Sequence, residues 1–218
     1  AEEFIDRGFP YVIGGDIFVI NGKIQLFGEM SCLRDNQGLG LIPIGEKKPS
    51  GLNQNQTEKV HQELQRIIDK LGYAFGELNI ELILDKEDNV HFLELGPRAG
   101  GNMIPIQLSD AFNVDLVKAN IAAAMGIPPQ LNIVEQPGCY IHYVLHSYSE
   151  GIFAGIEYSK KIESFIYRKV IYKKCGDPVE YFDGAGKALG IIFLKFDNAS
   201  QMDDFCEHHD LYIKVKLQ

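Results

Sequence analysis

Two runs rich in apolar residues open the chain and predict strands. Residues 10–20 (PYVIGGDIFVI) and 23–33 (KIQLFGEMSCL) read as two strands, and the Asn21-Gly22 dipeptide between them signals a tight hairpin. Residues 35–56 are polar, rich in Gly, Asn and Pro, and read as a long loop. The period then changes. Val60, Leu64, Ile67, Ile68 and Leu71 fall on one face of a helix expected over 57–71, with Thr57 to cap its start and Gly72 its end. Residues 75–84 and 90–95 read as a second hairpin, turning through 85–89. A glycine-rich loop at 96–103 leads to a helix over 114–125, which Gly126, Pro128 and Pro129 stop. Beyond residue 129 the pattern predicts strands at 138–145, 152–158, 162–173 and 188–196, a short helix at 200–208 and a last strand at 211–217.

These elements predict an α+β fold: a mostly antiparallel sheet with two or three covering helices over residues 1–130, then a smaller β-rich subdomain over 131–218. The chain has 218 residues, 45% of them apolar and 23% charged, which excludes intrinsic disorder. No apolar run approaches the roughly 20 residues of a transmembrane helix. The net charge of −9 argues against nucleic acid or an anionic membrane as partner. Cys32, Cys139, Cys175 and Cys206 form no CxxC pair and suit free thiols in the cytoplasm. The opening Ala1-Glu2-Glu3-Phe4 runs into structured-looking sequence with no initiator Met and no signal peptide, which reads as part of something longer.

The chemistry is concentrated in the second hairpin. If its turn holds two or four residues centred on Glu87-Asp88, Glu81 lies directly opposite Glu94, and Asn79 opposite Gly96. Asn79, Glu81 and Ile83 would then share a face with Phe92 and Glu94. Opposed residues have Cβ atoms about 4.5–5.5 Å apart, and like charges there repel. A divalent cation between the carboxylates removes the conflict, since Mg²⁺ takes one or two carboxylates together with substrate phosphates. Pairing with Lys or Arg, or exposure at a strand end, would also do so. Arg98 and Gly100-Gly101-Asn102 follow, a guanidinium fork and glycines that suit phosphate oxygens, although the glycines alone read as an ordinary turn.

Glu81 on one strand and Glu94-Leu95-Gly96-Pro97-Arg98 on the next resemble the metal-binding signature of the ATP-grasp superfamily of ligases. In that family, a Glu on one strand and the Glu of a following E-x-N-x-R motif hold the magnesium of MgATP, and the Arg faces the phosphoryl group. Glu2-Glu3-Phe4-Ile5 resembles the hinge through which the family binds adenine, and Asp16 and Glu29 stand where it often has acidic residues facing the cleft. The resemblance covers residues 1–126. Residues 135–218 look like the β-rich terminal subdomain of some carboxylate–amine ligases.

The resemblance implies an ATP-dependent ligase that joins a carboxylate to an amine or thiol through an acyl-phosphate, of which this chain would be the C-terminal part and by itself inactive. It implies Glu81 and Glu94 as ligands of Mg²⁺, or Mn²⁺ in its place, and Arg98 as the catalytic group at the phosphoryl. Glu2, Glu3, Phe4, Ile5, Asp16 and Asn79 would line the nucleotide site. The partners would be ATP and small carboxylate and amine substrates, with a homodimer allowed. Gly96 departs from the family's Asn, a gap that Asn79 or Asn102 could fill. For that reason the alternative is a non-catalytic nucleotide- or partner-binding module of the same descent.

Other features carry less. Gly184-Ala185-Gly186-Lys187 lacks the spacing of a phosphate loop and reads as a turn. His142 with His146, and Cys206 with His208 and His209, match no common zinc spacing. Lys160, Lys161, Arg168, Lys169, Lys173 and Lys174 read as a solvated face.

Overall fold

The computed structural model describes residues 3–35 and 40–218. The chain forms two compact units, Ala1–Cys32 with Lys48–Gln136, and Leu33–Lys47 with Pro137–Gln218. In chain order the elements begin with β1 (Val12–Ile20), β2 (Lys23–Arg34), β3 (Pro43–Lys48), α1 (Gln54–Leu71), β4 (Phe75–Leu84) and β5 (Val90–Gly96). Next come α2 (Ile104–Phe112), α3 (Leu116–Ala124), β6 (Cys139–Leu145), β7 (Gly151–Tyr158), α4 (Lys160–Glu163) and β8 (Ile166–Ile171). The chain closes with β9 (Pro178–Val179), β10 (Gly190–Phe196), α5 (Ala199–Tyr212) and β11 (Ile213–Leu217). This is the expected α+β class.

In the first unit the strands lie in the order β5-β4-β1-β2, with antiparallel pairing throughout. Asn21 and Gly22 turn the β1–β2 hairpin with φ of 52° and 71°, as the dipeptide predicts. One face of this sheet is apolar. Ile13, Ile17 and Val19 of β1 and Leu78, Ile80, Leu82 and Leu84 of β4 are buried against Val60, Leu64 and Ile68 of α1. Each such side chain contributes about 1.5–3 kcal/mol by leaving water.

In the second unit, β6, β10 and β8 are neighbours, and β10 pairs antiparallel with both others. A smaller sheet runs β11-β7-β9. Helix α5 buries Met202 and Phe205, and the Phe205 ring meets Tyr143 edge-on at 5.5 Å. His142 is fully buried, and burial pushes its imidazole down to about 3, so it is neutral core. His146 stacks on Phe182 at 4.5 Å. Among the described residues no three or more His, Cys, Asp or Glu side chains are grouped to hold a metal. No helix there is long and apolar enough to cross a membrane.

Several predicted elements need correction. The polar stretch 35–56 is not one loop, because β3 lies within it. Its Lys47 and Lys48 are buried, with Lys47 bonded to Asp203 at 2.8 Å and Lys48 to Glu135 at 3.0 Å. Buried charges with partners look like loop residues in a hydropathy pattern. Helix α1 starts earlier than 57, since Asn53 rather than Thr57 caps it: Asn53 accepts from the Gln56 N–H and Gln56 reciprocates. Helix α2 lies within a stretch with no helical signal in the sequence pattern. Ile104, Pro105, Gln107, Leu108, Ala111 and Phe112 are all buried, so the helix has no broad polar face to give a periodic signal. Over 162–173, Ser159 caps the short α4, and the strand starts only at Ile166. Helix α5 runs past 208 with a non-helical residue at His208.

Candidate functional site

Strands β4 and β5 place Glu81 directly opposite Glu94 and Asn79 directly opposite Gly96. The expected register therefore holds where the chemistry is, but not along the whole hairpin. Leu82 pairs with Phe92, so Leu93 is an extra residue bulged out of β5, and 54% of it is exposed. Phe92 consequently packs with the apolar core instead of sharing the face of Glu94. The turn itself is built on Asp85, whose carboxylate accepts the Glu87 and Asn89 N–H groups and contacts His91 Nε2 at 2.9 Å. These bonds, His91 foremost, hold the Asp85 carboxyl well below the usual range.

Arg98 follows β5 and reaches back to Glu94, Nη2 to Oε1 at 3.3 Å. Both side chains are more than half exposed, so the ion pair contributes at most about 1 kcal/mol and yields readily to another anion. The Arg98 carbonyl accepts the Asn79 N–H at 3.0 Å, which ties the turn to β4.

Glu77, Asn79 and Glu81 alternate onto one face of β4, and Asp16 pairs with Asn79 from β1. Asp16 is fully buried. Its Oδ1 accepts the Asn79 side-chain amide and its Oδ2 the Gly100 N–H, both at 2.9 Å. Asn79 also donates to the Gly15 carbonyl at 2.9 Å. Burial pushes Asp16 up to about 6, against the pull of Gly100, Asn79, Glu77 and Arg98. Glu77, 2% exposed, is pushed up to about 8 by burial first and by the Asp16 charge second. Neither Glu77 oxygen has a hydrogen-bond partner among the described residues. Two carboxyls in one buried site cannot both ionise freely, so Glu77 holds the proton and Asp16 the charge. The sequence reading passed over Glu77; its place two residues before Asn79 on the face of Glu81 was the available signal.

The remaining expected site residues are more dispersed. Glu2 lies outside the described residues. Glu3 is exposed, Phe4 is 88% exposed, and Ile5 packs against the buried Val12, Cys32 and Ile83. Glu29 pairs with Gly15, one position out of step with Asp16, so the two acids do not share a face. Burial raises the Glu29 carboxyl, opposed by the Lys48 charge.

No family model matches the sequence. An uncharacterized protein, y4rH of Sinorhizobium fredii, is 35% identical over 78 residues, which are 36% of this chain and 16% of that protein. Solved structures match far more of the chain. A phosphoribosylglycinamide synthetase from Anaerococcus prevotii superposes with a TM-score of 0.81 at 20% identity, over 99% of this chain and 55% of its own. An L-amino acid ligase from Bacillus licheniformis gives 0.79 at 15% identity, over 99% and 53%. A biotin carboxylase from Campylobacter jejuni gives 0.72 at 15% identity, over 99% and 48%. The chain thus spans about half the length of these proteins. The chain has the fold that these ATP-grasp ligases show over about half of their length.

Proposed function

We infer that the chain is the metal-carrying C-terminal part of an ATP-dependent ligase that joins a carboxylate to an amine or thiol through an acyl-phosphate. The observation that carries this reading is the in-register pair Glu81–Glu94 with Arg98 folded back onto Glu94. It gains support from the fold shared with three synthesising or carboxylating proteins, one of them solved as its β-γ-ATP complex.

Two opposed carboxylates without a bridging cation repel, and their oxygen donors suit Mg²⁺ or Mn²⁺. Glu81 and Glu94 would hold the ion, which when bound would offset charge on the phosphate oxygens. Arg98 exchanges its exposed Glu94 partner for a phosphoryl oxygen, to which its planar fork is matched. Residues 2–5 bind adenine through backbone groups, and Asn79 serves the site from beneath, since its amide is already engaged by Asp16 and Gly15. Cys32, Cys139, Cys175 and Cys206 are free thiols, which supports placement in the cytoplasm.

The test is ADP release by the whole protein, measured with Mg²⁺ against a panel of carboxylates and amines. Release that requires both substrate types supports a ligase. A specific observation also favours a second reading: Gly96, opposite Asn79, brings no side-chain donor to the metal. Nucleotide binding with no ADP release under any pair of substrates would establish the non-catalytic module instead.

A further inference from the structure

Asp16 pairs with Asn79 on the sheet face that carries Glu81, none of its surface is exposed, and both of its oxygens accept hydrogen bonds. Oδ1 accepts from Asn79 of β4, and Oδ2 accepts from the backbone of Gly100. The peptide on the near side of that turn is held as well, because the Arg98 carbonyl accepts the Asn79 N–H. Arg98 is therefore tied to the sheet both at its own carbonyl and two residues further on. Gly100 is also the residue that lets the turn come so close. A Cβ there would lie 2.7 Å from Asp16 Oδ1, 2.9 Å from Asn79 Nδ2 and 2.8 Å from the Ile104 side chain.

We propose that Asp16 is a positioning residue, whose two carboxylate oxygens clamp the 98–100 turn onto β4 and so aim Arg98 beside Glu94. Its effect on the phosphoryl site rests on the ligase reading above; the clamp itself does not. A group that accepts on both oxygens does so best as the carboxylate. Protonation would turn one acceptor into a donor, and an amide would set an NH₂ against one of the two N–H groups. Glu77 makes the ionised form tenable, because its carboxyl carries the proton and faces Asp16. The charged and titratable groups around Asp16 are Glu77 on β4 and Arg98 on the turn. Behind Glu77 stands Tyr73, whose hydroxyl donates to the Glu77 carbonyl at 3.2 Å. From α2, Leu108 brings an apolar side chain to Gly28, which pairs with Asp16 on the β2 side.

The test is amide hydrogen exchange by NMR on the full 218-residue chain, with MgADP affinity measured beside it, for the wild type, Asp16→Asn and Glu77→Gln. Asp16→Asn should raise exchange at Gly100 at least about tenfold, the scale of losing a bond to a charged acceptor, while Ile17 and Leu78 stay protected. MgADP affinity should fall with it. Glu77→Gln should leave Gly100 protected, because a neutral Gln keeps an uncharged neighbour beside the Asp16 carboxylate. Unchanged Gly100 exchange in a folded Asp16→Asn chain overturns the clamp. Lost protection with unchanged MgADP affinity overturns its role in aiming Arg98. A wild type that binds no MgADP, yet shows the exchange pattern, supports the clamp and overturns the ligase reading. Should Asp16→Asn not fold, Glu77→Gln decides the matter: Gly100 protection retained supports the clamp, and protection lost overturns it.

Discussion

Glu81 stands directly opposite Glu94 although the turn joining their strands is not even-numbered. The ladder closes at Leu84–Val90 around a five-residue turn, 85–89, and the odd residue is absorbed by the bulge at Leu93. Without that bulge the two carboxylates would be one position out of step and on opposite faces. Two like charges are thus held in register by a compensating irregularity, the arrangement that the proposed metal site would require.

Glu94→Gln keeps the shape of the side chain and removes one charge from the pair. ADP release by the whole protein should fall by at least about 10²-fold, the scale of losing one electrostatic contact in a transition state. The thermal midpoint of the chain should hold steady or rise slightly, because the Glu94–Arg98 pair is exposed and the Glu81–Glu94 repulsion is relieved. Steady-state kinetics and a melting curve check both halves.

Arg98→Lys should cost nearly as much turnover as Glu94→Gln. An ammonium keeps the charge but cannot present two parallel donors to a phosphoryl group. A kinetic comparison of the two variants reads this directly, and the fold should be indifferent, since Arg98 is more than half exposed.

Stability should depend on pH with a sign set by Glu77. Its folded value of about 8 lies above that of an ordinary Glu, so the folded chain holds a proton that the unfolded chain has released. Its contribution is complete below about pH 4 and is lost as pH rises towards 8. Asp16 acts in the same direction, but its window closes near 6. His142 and His146 act oppositely, because burial lowers both; their contribution grows with pH until about 6.5 and then levels off. Between about pH 6.5 and 8 Glu77 is thus left to dominate. The melting temperature should drop by about 3–6 °C across that window. Glu77→Gln should flatten the decline, as a calorimetric melting series would show.

Gly100→Ala should weaken the chain and its nucleotide binding together. The added methyl would meet the Asp16 and Asn79 side chains at less than 3 Å, and Ile104 from the other side. A loss of about 1–3 kcal/mol is the usual cost of such overpacking. Denaturant unfolding and calorimetry with MgADP check the pair of effects.

The strands of the first unit were legible because β1 and β4 are rich in apolar residues and Asn21-Gly22 and Gly72 punctuate the chain around them. The Glu81–Glu94 pairing was expected from an even-numbered turn that the chain does not have; it holds because the five-residue turn and the bulge cancel, and nothing in Phe92-Leu93-Glu94 marks Leu93 as the odd residue. Helix α2 and strand β3 were hidden for opposite reasons: one is buried nearly all round, and the other buries lysines whose partners are far along the chain. The Asp16–Glu77 pair was hidden because it joins residues of two strands whose pairing, Asp16 with Asn79, does not follow from either strand alone.

Titration calorimetry of the 218-residue chain with ATP, with and without Mg²⁺, shows whether Glu81 and Glu94 carry a metal. Binding should be weak, with a Kd on the order of 0.1 mM or above, should appear only with Mg²⁺, and should disappear in the Glu81→Gln, Glu94→Gln double variant. Binding of equal strength without Mg²⁺, or binding that survives the double variant, would contradict the assignment of Glu81 and Glu94 as the metal carboxylates.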